Sequence, residues 1–140
     1  MHKPIAVLLA SAALLAGAVH AQDNAAAVAA ATDSATRWLA VADAGTWGDS
    51  WDQLAPAAQA GVSKAAWSSG LPPVRDPLGA VKSRKLQSAD FTRTLPNAPP
   101  GDYVVIQYAT EFANKPQSVE TVVPMRLPDG SWKVSGYFVR

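Results

Sequence analysis

The chain has no cysteine, and its only two histidines, His2 and His20, both fall within the first 21 residues. Without cysteine there is no disulfide and no thiol nucleophile, so the fold has to rest on packing. If the first 21 residues are removed, imidazole goes too, which excludes the commonest acid/base catalyst and ordinary zinc sites. Only oxygen ligands would remain for a metal, and no Asp-x-Asp-x-Asp-Gly calcium loop is present, so neither a metal site nor a cofactor is expected. A serine hydrolase would lack its histidine, no Ser-x-x-Lys follows residue 21, and no glycine-rich phosphate loop occurs.

A long apolar run is also missing. Spanning a bilayer takes about 20 apolar residues, whereas the run Ile5–Val19 has 15. Lys3 precedes it as a short positive region, and Val19-His20-Ala21 follows as a small-residue cleavage site. Met1–Ala21 therefore reads as a secretory signal peptide cut at Ala21/Gln22, which predicts a periplasmic or secreted protein. No stable membrane insertion is expected after cleavage, and with no cysteine a lipid anchor of the bacterial lipoprotein type is excluded.

Removing 21 of 140 residues leaves 119, the size of one domain (22–140) with one core. Loss of Lys3 leaves 11 Lys or Arg against 11 Asp or Glu, so the mature side chains sum to zero. That neutrality argues against nucleic acid or an anionic membrane as partner, since both demand a basic excess. The five tryptophans, Trp38, Trp47, Trp51, Trp67 and Trp132, are the main packing material.

Along the chain, Asp23 or Asn24 can cap a first helix over Ala25–Ala44, in which Val28, Ala31, Ala35, Trp38, Leu39 and Ala42 recur at helical spacing and Gly45 closes the end. Asp33 and Arg37 form an i,i+4 pair on its polar side. Thr46 and Asp49 resemble a capping arrangement for a short second helix with Trp47, Trp51 and Leu54 on one face, interrupted by Pro56. Ser63 is an N-cap for Lys64–Ser69, ending at Gly70. The proline-rich stretch from Leu71 to Pro77 reads as a connector that excludes helix. Strands follow at Leu78–Leu95, Asp102–Phe112, Ser118–Leu127 and Ser131–Val139, with turns at Pro96–Gly101, Asn114–Gln117 and Pro128-Asp129-Gly130. Val104, Ile106, Tyr108, Thr110 and Phe112 share one strand face. Pro124 predicts an edge position or a bulge, and Gly136 a bend or a close approach by the first helix. Helices followed by adjacent strands predict an α+β domain, with N-terminal helices on one face of a curved antiparallel sheet of about four strands.

Several stretches are familiar: Arg37-Trp38-Leu39 with Asp43 and Gly45, Ser50-Trp51, Val62-Ser63, Trp67, Arg75 with Pro77-Leu78-Gly79, Ser83-Arg84, Tyr103-Val104-Val105, Glu120-Thr121-Val122, and the closing run Asp129–Val139. Together they resemble the bacterial domain of unknown function 4019 family over nearly all of the mature chain. The resemblance implies exported proteins with a small helix-plus-sheet domain and no established activity. The element order also looks like the cystatin-like group that includes nuclear transport factor two-like domains, and fold alone does not give function.

Domains of that shape often enclose a cavity, where a carboxylate acquires a raised pKa suited to proton transfer. The candidates are Asp49, Asp52, Glu111 and Glu120, with Tyr108 or Tyr137 as hydroxyl donors. The competing reading assigns Asp49 to capping, Asp52 to solvent, the glutamates to cross-strand pairs and the tyrosines to the sheet surface. Arg75 and Arg84 flank the Asp-Pro-Leu-Gly turn and could present a fork to a carboxylate or phosphate ligand, or instead bond loop carbonyls or pair with Asp76, Glu111 or Glu120. Trp47 and Trp51, one turn apart, could form a stacking shelf for sugars, or simply pack on the core. The poverty of catalytic residue types favours a non-enzymatic binding domain of the cell envelope over an isomerase- or lyase-type enzyme with a cavity carboxylate. Its partner would be an envelope protein or a small ligand, and the chain a monomer or weak homodimer.

Overall fold

Alanine is the strongest helix former, and nothing between Ala12 and Asp43 breaks the first helix of this computed structural model, which describes residues 12–140 with side chains placed from Asp23 onward. Helix α1 (Ala12–Asp43) therefore runs through the expected cleavage bond instead of starting at an Asp23 or Asn24 cap. Mid-helix amides already have acceptors one turn upstream, so no cap is needed there. The first eleven residues of the expected signal peptide lie outside the described residues. Among those described, no helix is long and apolar enough to cross a membrane. Ala31, Ala35, Trp38, Leu39 and Ala42 are buried as a single stripe. Gly45, at φ +75°, turns the chain away after α1.

Three further helical pieces fold back beside α1. Helix α2 (Trp47–Asp52) carries no side-chain cap, because the Thr46 hydroxyl donates to the Val41 carbonyl at 3.2 Å; the expected capping arrangement does not form. Pro56 opens helix α3 (Pro56–Gly61), where its fixed φ suits the first helical position. Ser63 caps helix α4 (Lys64–Gly70) by accepting from the Ala66 amide at 3.0 Å. The proline stretch is helical as well: Pro72 and Pro73 open a single turn, α5 (Pro72–Arg75), and Asp76–Leu78 continue as a 3-10 turn. Proline forbids helix interiors but not first turns, and each of these elements is too short to have an interior.

The sheet is a meander, β1 (Val81–Thr92), β2 (Tyr103–Phe112), β3 (Lys115–Arg126) and β4 (Trp132–Val139), each strand antiparallel to the next in the order β1-β2-β3-β4. The chain is thus an α+β fold with helices on one face of an open four-stranded sheet, and its element order fits the cystatin-like layout. The β2–β3 turn takes only Ala113 and Asn114, with Phe112 paired to Lys115, so β3 begins earlier than the expected turn allows. Pro124 lies in an interior strand and is fully buried; the register shift between Val123 and Pro124 makes it a bulge rather than an edge residue. A side chain at Gly136 would meet the Phe138 ring and Val123, so α1 does not approach there.

Val104, Ile106 and Tyr108 of β2, Val122 of β3, and Val134 and Tyr137 of β4 meet the α1 stripe to form the core. Trp38 sits at its centre, 5.0 Å from the Tyr137 ring and edge-on to Trp67 at 6.2 Å. Its indole N–H donates to the Ser50 carbonyl at 3.0 Å, which ties α2 to α1. Truncating a buried tryptophan of this kind typically costs about 3–5 kcal/mol.

Candidate functional site

Six elements each contribute one polar side chain to a single network, buried at Glu120, Arg75, Thr110 and Tyr137 and open to solvent at Asp43. Asp43 is the last residue of α1, Arg75 the last of α5, Arg84 lies on β1, Thr110 on β2, Glu120 on β3 and Tyr137 on β4. Strand alternation turns Arg84, Thr110, Glu120 and Tyr137 toward the helices, since Arg84 is opposite Thr110 and the neighbouring core-facing pairs include Glu120 with Tyr108 and Val122 with Tyr137. Asp43 ends a helix, where a carboxylate faces the negative end of the macrodipole and needs cations close by.

Glu120 is the hub and is 0% exposed. Its Oε1 accepts from Arg84 Nε at 2.7 Å and from the Thr110 hydroxyl at 2.6 Å. Its Oε2 accepts from the Tyr137 hydroxyl, and Arg75 Nη1 stands 4.0 Å away. Arg75 Nη1 donates to the Tyr137 oxygen at 3.0 Å, so that hydroxyl relays between cation and anion. At the outer end Asp43 takes both arginines: Oδ1 accepts from Arg75 Nη2 and Arg84 Nη2, each at 3.0 Å, and Oδ2 from Arg84 Nη1 at 2.8 Å. The Arg75 guanidinium also lies 5.0 Å from the Phe112 ring centre and 5.7 Å from that of Trp47.

Two cations and two anions cancel, the condition under which charge is tolerated in a core. Burial pushes the Asp43 carboxyl up, but the hydrogen bonds and charges of Arg84 and Arg75 outweigh it and hold the group below its ordinary value. Burial likewise works against the charge on Arg84, and its bonds to Asp43 and Glu120 more than restore it. Burial and the adjacent Glu120 push the Tyr137 phenol up against the weaker opposing pull of Arg75. Asp43 is thus held in its charged form and the Tyr137 hydroxyl in its neutral one.

Asp49, Asp52 and Glu111 lie outside the network. Asp49 is exposed on α2, Asp52 pairs with Lys64 at 2.8 Å, and Glu111 is exposed and accepts from Ser83 at 3.4 Å. Tyr108 is buried beside Glu120, and its hydroxyl has no partner among the described residues. Burial raises its pKa. Arg75 and Arg84 point inward rather than presenting a fork to solvent. Trp47 is buried under Arg75, and the Trp51 indole donates to the Val62 carbonyl at 2.8 Å, so the two do not make an open shelf. Asp33 and Arg37 are both exposed on α1 and form no ion pair in the structure. Among the described residues no three His, Cys, Asp or Glu side chains are grouped to hold a metal ion.

Asp43 and Thr110 were not among the candidates. An acid in the last turn of a helix, where a base is normally favoured, was the available signal for Asp43. For Thr110 nothing beyond its place on the core face of β2 distinguished it.

Among the grooves that open away from the network, two border the sheet and carry aromatic residues. One of about 470 Å³ lies between α1 and the end of the sheet that carries Phe91, Asp102 and Trp132. Another, of about 270 Å³, lies under the loop Leu95–Pro99 beside Tyr103, Val123 and Phe138.

Residues 34–137 match the family described as "Protein of unknown function (DUF4019)". The match spans well over half of the chain and contains the whole network, and the chain belongs to that family. No curated protein and no solved structure matches it.

Proposed function

We propose that this family member is an exported, non-catalytic binding domain of the bacterial cell envelope, built on a polar core that locks its helices to its sheet. The saturation of the Glu120 site carries this reading. A carboxylate with no exposure, three hydrogen-bond donors and a compensating cation is a positioned structural anion, whereas a general base needs a free lone pair facing substrate. The residue composition of Met1–Ala21 supports export, and the zero net charge of residues 22–140 favours a protein or neutral-ligand partner over nucleic acid.

Producing the full chain with a C-terminal tag in a bacterial host, followed by fractionation and intact mass measurement, tests the reading. A species beginning at Gln22 in the periplasm or medium is expected. An uncut chain in the cytosol would overturn export. Turnover of any substrate that Glu120→Gln abolishes while the variant remains folded would overturn the non-catalytic assignment.

A further inference from the structure

The groove between α1 and the Phe91–Trp132 end of the sheet has a construction that the packing of the domain does not require. On the helix side, Ala26, Ala27 and Ala30 offer only methyl groups, so α1 leaves the space beneath it unfilled. On the sheet side, Phe91 and Trp132 pack against the core yet stay half-buried, keeping aromatic surface in the groove. The resulting volume, about 470 Å³, is that of a small-ligand site.

The rim is polar, and its charged side chains, Arg93 and Arg126 with Asp23 and Asp102, sum to zero. Asp102 pairs with both exposed arginines, with Arg93 Nε at 3.2 Å from Oδ1 and Arg126 Nη1 at 3.9 Å from Oδ2. Arg93 is further set by its guanidinium lying 5.1 Å from the Phe91 ring centre. Among the described residues Arg93 donates a side-chain hydrogen bond only through Nε and Arg126 donates none, which leaves most of the N–H groups of both forks for solvent or ligand, with Asn24 lining the helix side.

From this arrangement we infer that the groove between α1 and the Phe91–Trp132 end of the sheet binds an uncharged saccharide. The inference rests on the binding-domain reading above and names its ligand class. A sugar ring has apolar C–H faces and a rim of hydroxyls that both donate and accept. Aromatic and methyl walls with a rim of paired Arg, Asp and Asn complement both features. The four side-chain charges of the rim cancel, so they give an anionic ligand no net attraction, and an alkyl chain would strip water from all four without replacing it; only the α-amino group left on Gln22 by the cut would favour an anion, which is why tetragalacturonate is among the probes. The sugar-binding aromatic is therefore Trp132, at the start of β4, and not the Trp47 and Trp51 pair that the sequence spacing offers.

Cellotetraose, chitotetraose and tetragalacturonate are the probes, titrated into the protein produced from the full chain, with backbone and indole N–H shifts read by NMR. Saturable shifts of the Trp132 indole and the Ala26, Ala27 and Ala30 amides with at least one of the two uncharged sugars are expected. Ala27→Leu fills the groove with a good helix former, changes no charge, and should weaken binding by about tenfold or more while the rest of the spectrum is kept. Trp132→Ala should do the same. Three results would each overturn the assignment: no saturable shift with either uncharged sugar, tighter binding of tetragalacturonate than of both, or binding that Ala27→Leu leaves intact. A failed titration with a correctly cut, exported protein removes the saccharide and leaves the export reading standing. Groove binding by a chain found uncut in the cytosol does the reverse.

Discussion

Replacing Arg84 with methionine keeps the length of its apolar stem and deletes its charge. In the folded protein this strips Glu120, which is 0% exposed, of its closest cation at 2.7 Å, and takes from Asp43 two of its three arginine hydrogen bonds. Removing one partner of a buried ion pair costs about 3–5 kcal/mol, because the remaining charge stays desolvated. Glu120 keeps Thr110 and Tyr137 as donors and Asp43 keeps Arg75, so the loss should fall near the lower end, about 3 kcal/mol. With a urea slope of about 2 kcal/mol/M for a domain of this size, the midpoint should drop by about 1.5 M in an unfolding curve followed by tryptophan fluorescence. Glu120→Gln alone leaves two arginines against Asp43 and should cost a similar amount. The double variant restores charge balance and should cost less than the sum by at least about 1.5 kcal/mol, the coupling of groups that share one network. Single losses under about 1 kcal/mol that simply add would mean that the pair behaves as a surface ion pair, and would refute the structural role of the network.

The Asp43 carboxyl sits below its unfolded value of 3.8, so the stability it contributes is complete above about pH 4 and is lost as the pH falls through its folded value; Asp43→Asn should flatten that acid limb in pH-dependent urea melts. The Tyr137 phenol is raised above 10.0, so its contribution is complete below that pH and is lost as the pH rises past it, and Tyr137→Phe should remove this alkaline loss. Ser50 is fully buried, donates to the Trp47 carbonyl at 2.7 Å and accepts from the Trp67 indole at 2.9 Å. Ser50→Ala leaves that indole N–H unpartnered and should cost about 1–3 kcal/mol by thermal or chemical melting. Gly79 has φ +77°, and a Cβ there would lie 3.0 Å from Asn114 Nδ2 and 3.1 Å from the Ala113 Cβ. Gly79→Ala should cost about 1 kcal/mol or more in the same melts, through backbone strain and displacement of the β2–β3 turn.

Local rules made most of the architecture legible. The three- and four-residue spacing of Ala31, Ala35, Trp38, Leu39 and Ala42 marks the buried stripe of α1, and alternation from Val104 to Phe112 marks the core face of β2. Both patterns follow from backbone geometry alone. Proline was misleading where its neighbours were ignored: Pro56, Pro72 and Pro73 all begin helical turns, and the interior position of Pro124 depends on which strands pair beyond it. Legibility of the site was lower still. Arg75, Arg84, Glu120 and Tyr137 stand out as chemistry-bearing residue types, yet their spacing along the chain says nothing of their convergence, and Asp43 gave only the sign of a charge at odds with its helix end.

The sequence by itself determined the α+β class, the apolar stripe and faces, the want of cysteine throughout and of histidine after His20, and the neutrality of residues 22–140, because each of these depends on composition or on periodicity over a few residues. Only the tertiary structure decided that four charges from α1, α5, β1 and β3 cancel in one network centred on buried Glu120, and that Trp132 borders a groove while Trp47 lies in the core. Side chains 32 to 62 residues apart meet only after the meander and α1 have set their register, and whether a charge or an aromatic ring is exposed depends on what that packing brings against it.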